Sequence, residues 1–134
     1  MADLSSITAV RPTSNTVVTR VAYGATISAG QPIVKSGTTY VQADANASAA
    51  LAAAEGVAIT PGVSGGYGLM ATGGSIILVG TTMVVGQTYI VAPTAGGIMP
   101  NSDRATNDYI TTLGTAATTT QLDLAIKATG IQAP

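Results

Sequence analysis

The sequence predicts an all-β protein, a compact sandwich or barrel built from two degenerate β repeats with an extended N-terminal arm. Three observations carry this. Apolar residues come in bursts of three to five rich in Val, Ile, Thr and Tyr, cut by Gly, Pro, Ser and Asn, which is the strand-and-turn pattern. A Gly-Gln step between two short apolar runs occurs twice, in SAGQPIV at 28–34 and VVGQTYIV at 84–91. Only 8% of the 134 residues are charged, against about a quarter in an ordinary soluble domain.

Along the chain, the first 20 residues form the arm and residues 21–134 a single β domain. Leu4, Ile7 and Val10 recur at every third position ahead of Arg11-Pro12, but proline disfavours helical geometry at the residue before it. The arm is therefore expected as an extended strap, unable to offset its ordering entropy alone and ordered only in an assembly. Leu4, Ile7, Val10, Arg11 and Pro12 are its candidate interface residues.

TVVTRVA at 16–22 reads as a strand. PIVKSGTTYVQ at 32–42 reads as two strands joined by a tight turn at KSGT. DANASAALAAAEG at 44–56 has helical propensity, with Asp44 as a possible N-cap and Gly56 as a possible stop. Leu51 is its only large apolar side chain, so a helix here would bury almost nothing, and a loop with at most one helical turn is expected. PGVSGGYG at 61–68 is a surface loop that leads into a strand rather than a helix, so it lacks the dipole that cradles phosphate. GLMATGGSIILVG at 68–80 and QLDLAIKA at 121–128 read as strands, the second with Leu122, Leu124 and Ile126 alternating with Asp123, Ala125 and Lys127.

The two Gly-Gln steps suggest equivalent turns, since glycine permits positive φ. Gly30 and Gly86 lie 56 residues apart, Gly56 and Gly114 lie 58 apart, and ATG at 71–73 returns at 128–130. Residues 25–74 and 81–131 accordingly read as copies of one unit, each too small to close a core alone.

The chain has no histidine and no cysteine, which removes the usual general base, the usual metal ligand and the usual partner of a serine nucleophile. No enzymatic activity and no cofactor are expected. Asp103 and Asp108 in NSDRATND lack the ligand alternation of a calcium loop and are expected in a solvated turn. Lys35 is expected as an ordinary turn lysine. The five basic residues are scattered and net charge is −1, so nucleic acid is not an expected partner. The N-terminus lacks the pattern of a secretory signal, and no apolar run approaches the roughly 20 residues of a membrane span; the chain is expected to be soluble and made in the cytoplasm. Tyr23, Tyr40, Tyr67, Tyr89 and Tyr109 are dispersed, which leaves a glycan-binding module as a minority reading.

The phrases ADANASAALAAAEGVAI (43–59), TYIVAPTAGGIMPNSD (88–103), DYITTLGTA (108–116) and IKATGI (126–131) follow an order and spacing that resembles the small head-decoration, or capsid cement, proteins of tailed bacteriophages. The resemblance covers about residues 21–132. It implies a β protein on the outer capsid surface, bound to the major capsid protein as a homotrimer at three-fold or quasi-three-fold positions and reinforcing the shell, with no catalytic residues.

Overall fold

The computed structural model describes residues 7–103 and 106–132. Its ten strands form one curled antiparallel half-barrel: β1 (Ala9–Pro12), β2 (Val17–Ala22), β3 (Pro32–Ser36), β4 (Thr39–Gln42), β5 (Gly56–Ala58), β6 (Tyr67–Val79), β7 (Thr88–Val91), β8 (Ile98–Pro100), β9 (Tyr109–Ala116) and β10 (Gln121–Gln132). A single helical turn, α1 (Ala49–Ala52), follows β4, and a 3₁₀ turn spans Asn101–Asp103. The sheet order is β4-β3-β5-β6-β10-β9-β7-β8, with β1 and β2 laid end to end along the other edge of β6.

The local readings hold where local chemistry decides. β3 and β4 form a hairpin about Gly37, whose φ is +66°. The Ala-rich segment makes just one turn, closed by Ser48, whose hydroxyl accepts from Leu51 N–H at 3.1 Å. Ser48, not Asp44, is the N-cap; Asp44 instead accepts from Asn46 N–H in its own loop. Gly56 does not stop a helix but opens β5.

The two Gly-Gln steps are the same turn. Gly30 has φ +87° and Gly86 has φ +84°. Gly30 N–H donates to Ala58 O at 2.8 Å, Ala58 N–H to Gln31 O at 2.9 Å and Gln31 N–H to Ser28 O at 3.3 Å. The second copy repeats each bond: Gly86 to Ala116 at 2.8 Å, Ala116 to Gln87 at 3.0 Å, Gln87 to Val84 at 3.1 Å. Onward, Ile33 faces Gly56 as Tyr89 faces Gly114. Ala58 faces Met70 as Ala116 faces Leu122, and Met70 faces Thr19 as Leu122 faces Ile76.

That correspondence moves the repeat boundary. The unit has five strands, β2-β6-β5-β3-β4 in the first copy and β6-β10-β9-β7-β8 in the second, so β6 ends one unit and begins the next. The copies run over 17–73 and 74–132, each one strand earlier at its start than the sequence indicates. The returning ATG is a chance match: Ala71 faces Val57, whose counterpart Thr115 faces Asp123, whereas Ala128 faces Thr111.

The arm is also corrected. Leu4 lies outside the described residues. Residues 9–12 and 17–22 are extended as expected, but they are paired strands of the domain rather than a detached strap. Val10 is buried and Ile7 packs on the same core, so this segment offsets its ordering cost within its own chain.

The principal core lies between the two units and combines Val57 and Ala71 with Ile76, Leu78, Tyr89, Val91, Leu113 and Leu122. A smaller core of Val21, Tyr23, Ile27, Ile33, Ala58 and Met70 fills the first unit, whose outer strands meet at a parallel bridge between Tyr23 and Tyr40. The segment after β4 stitches the units together: Ala45 N–H donates to Ala92 O, Gly96 N–H to Ala43 O, and Tyr109 N–H to Ala45 O, at 3.1, 2.9 and 2.8 Å.

Two outcomes are expected. A Cβ on Gly114 would strike the backbone of Asp123 and Leu124, whereas one on Gly73 would meet nothing nearer than Val17 at 3.6 Å. Gly114→Ala should therefore cost about 1–3 kcal/mol and Gly73→Ala under about 1 kcal/mol, read by urea denaturation. Removing residues 2–12 deletes β1, uncovers the edge of β6 at Ile76–Val79 and empties the Val10 site, so the thermal midpoint should fall; an unchanged midpoint would restore the picture of a detached arm.

Candidate functional surface

The exposed apolar residues mark where a partner could be held. Val18, Tyr67 and Leu69 are exposed at 43%, 63% and 38% and share one face because β2 pairs with the first half of β6, whereas Val17, 55% exposed, belongs to the opposite face. Arg20 faces Leu69 and Ala22 faces Tyr67 across this pair; directly opposed residues share a face. The alternation that puts Val21 and Met70 inside leaves Arg20, Tyr67 and Leu69 outside.

Arg20 stacks on Tyr67, its guanidinium carbon 4.4 Å from the ring centroid. Such stacking contributes about 0.5–1 kcal/mol at an exposed site and fixes the plane of the guanidinium over the ring. Beside it lies a shallow open depression of about 260 Å³, lined by Arg20, Thr60, Tyr67, Gly68 and Leu69. Thr60 is fixed there because its hydroxyl accepts from Leu69 N–H at 2.9 Å and its carbonyl accepts from the Tyr23 hydroxyl at 2.7 Å. A second apolar projection is the turn before β7, where Val84 and Val85 are exposed above buried Met83, the counterpart of Ile27.

Of the expected interface residues, Ile7 and Val10 are occupied in the core. Arg11 and Pro12 remain exposed on β1. The sequence did not single out Arg20, Tyr67 or Leu69; the available signal was an arginine inside a strand-like run, which by itself marks no face.

The tyrosines divide by unit geometry. Tyr23 and Tyr89 are buried, and Tyr40, beside Tyr23, donates to Glu55 Oε1 at 3.2 Å. Tyr67 alone is largely exposed. Tyr23 and Tyr40 are brought side by side, but Tyr23 is sealed inside and offers no stacking platform.

The expectation of a solvated turn fails at Asp108, which is only 6% exposed and has an Oδ2 without a hydrogen-bond partner. The cause is the clamp of Tyr109 N–H on Ala45, which draws the start of β9 against the segment after β4. Among the described residues no three His, Cys, Asp or Glu side chains converge in a group able to hold a metal ion, and no helix is long and apolar enough to cross a membrane. The chain matches no protein-family model and no curated protein.

Burial raises the Tyr23 phenol above its usual 10.0. Burial, the charge of Glu55 and the hydrogen bond to it raise Tyr40 likewise. The folded chain therefore keeps protons that the unfolded chain releases, so this contribution to stability is whole below pH 10.0 and is lost as pH rises through the raised values. The thermal midpoint should drop as pH rises above 10.0, and Tyr40→Phe should flatten that drop; an equally steep loss in the variant would remove Tyr40 as a cause.

Proposed function

We propose that this chain is a structural virion protein that binds the outer surface of a phage capsid as a homotrimer and stabilises the shell. The reading rests first on the resemblance, in phrase order and spacing over about residues 21–132, to capsid decoration proteins. The single structural observation in its favour is the surface: a β domain covered by small neutral residues, with exposed Val, Leu and Tyr grouped beside one stacked arginine. Few ionic hydration shells are lost when such a surface docks, and Tyr and Arg are the residue types that dominate binding energy at protein interfaces.

Three modest footholds on one trimer act together through effective concentration and multiply affinity by about 10² or more. The attachment then rests on apolar and backbone contacts rather than on long-range charge. A non-enzymatic glycan-binding module is the second reading, favoured by the depression that sets the exposed Tyr67 ring beside Thr60 and Arg20.

Purified capsids should saturate at a fixed ratio of this protein to capsid lattice sites. Decorated particles should also keep it through a sodium chloride series to about 1 M, where the Debye length is about 3 Å. Release in step with ionic strength would reject an apolar attachment. Failure to saturate, together with retention on an immobilised glycan that Tyr67→Ala abolishes, would replace the cement reading with the glycan one.

A further inference from the structure

The repeat makes an internal comparison possible. In the second unit the first strand is the latter half of β6, and its outer edge is covered by β1, with Arg11 opposite Ile77 and Pro12 opposite Ile76. In the first unit the first strand is β2. Thr19 corresponds to Ile76 and Arg20 to Ile77, by their equivalent pairings with Met70 and Leu122 and with Leu69 and Gln121. Among the described residues no strand pairs with the outer edge of β2 over Val17–Arg20, and β4 closes onto that side only past it, at the bridge between Tyr23 and Tyr40.

The backbone groups there point outward. Leu69 turns its carbonyl toward β5, where it accepts from Ile59 N–H, and Tyr23 N–H bonds back to Gly66. Thr19 and Val21 therefore bond to β6, and Val18 and Arg20 present their N–H and C=O groups to the open side.

Other edges are blunted in the usual ways. β1 has four residues and ends in Arg11-Pro12, and β8 has three and ends in Pro100. β2 has six residues and no proline, with two exposed valines. The side chain of Arg20 lies over Tyr67 on the sheet face and does not guard the edge.

The same chain carries a strand with the opposite need. β6 runs past the end of its first unit to begin another, and β10 runs on in the same way past Leu124 to Gln132. Lys127–Gln132 are all exposed, Ile131 at 65%. They pair only with β9, through an irregular register after Leu124, and β6 reaches no further than Leu124. This ribbon rests on α1 through β9, where buried Thr111 bonds to the Ala52 carbonyl, but its β10 strand is solvent-facing and carries a single charge, Lys127, in six residues.

We propose that the open edge of β2 accepts the C-terminal half of β10 from a second copy of this chain. The added strand lies along Val17–Arg20, overlapping at Thr19 and Arg20 the place that β1 holds in the second unit, and because donor and acceptor are different surfaces, successive copies associate head to tail, the geometry that closes into a ring. This deepens the self-association part of the proposed function.

The absence of cysteine makes the test clean. Val18→Cys would be combined in turn with Lys127→Cys, Ala128→Cys and Thr129→Cys, oxidised, and run on denaturing gels beside light scattering of the unmodified chain. At least one pair should give interchain disulfides in a ladder ending at three copies, with each single variant staying monomeric on the gel. A trimer by light scattering with no such ladder would overturn the edge pairing while leaving the trimer intact. A monomer would overturn both. Disulfide dimers from Val18→Cys alone would mean that two β2 edges meet, and would reject β10 as the occupant.

Discussion

The architecture depends on one strand serving two units. β6 is long enough, at 13 residues, to finish the first five-stranded unit and start the second, and the transfer happens at Gly73-Gly74. Gly74 has φ +74°, and a side chain there would collide with the Asn15 carbonyl. That close approach lets the turn joining β1 to β2 cross the strand where its partners change, from β5 to β10 on one side and from β2 to β1 on the other. A single continuous backbone thus fixes the two units relative to one another.

Ser75, next in the chain, ties the crossing together through backbone, hydroxyl and amide groups and a single carboxylate. Its carbonyl accepts from the hydroxyls of Thr13 and Thr16, its N–H donates to Asn15 Oδ1 at 3.2 Å, and its hydroxyl donates to Asp123 Oδ1 at 2.7 Å on β10. Similar hydroxyl bonds recur where Thr111 reaches the Ala52 carbonyl and Thr129 the Ile110 carbonyl. Threonine and serine here do the work that charged pairs do elsewhere, at a smaller desolvation cost. The same economy leaves a surface that can be covered without stripping ions of water, which is the property a cement protein or a glycan binder would use.

The two units are equivalent in backbone and unlike in surface. Ser28 and Ala29 in the first Gly-Gln turn become the exposed Val84 and Val85 in the second. Ile7 packs onto the Gly30 turn, while Gly86 has open space around it. The first unit keeps the Arg20–Tyr67 face and, among the described residues, an unpaired strand edge over Val17–Arg20, and the second is covered by β1. The repeated backbone supplies the scaffold, and the differences at turn tips and outer edges supply surfaces on which function can differ.

By itself the sequence determined what short-range physics settles. The β class, the hairpin at Gly37, the equivalence of the turns at Gly30 and Gly86, and the restriction of the Ala-rich segment to one helical turn all follow from glycine's access to positive φ and from a lone Leu51 with too little to bury. Alternation likewise placed Leu122 inside and Asp123 outside. Only the tertiary structure decided which strands are neighbours, because a period of two assigns faces and says nothing of edges. For that reason the division of β6 between units, the incorporation of residues 9–22 as an edge, the false ATG match, the burial of Asp108 and the meeting of Arg20 with Tyr67, 47 positions apart in sequence, were not legible in it: each depends on contacts between distant segments whose register is set by the whole sheet.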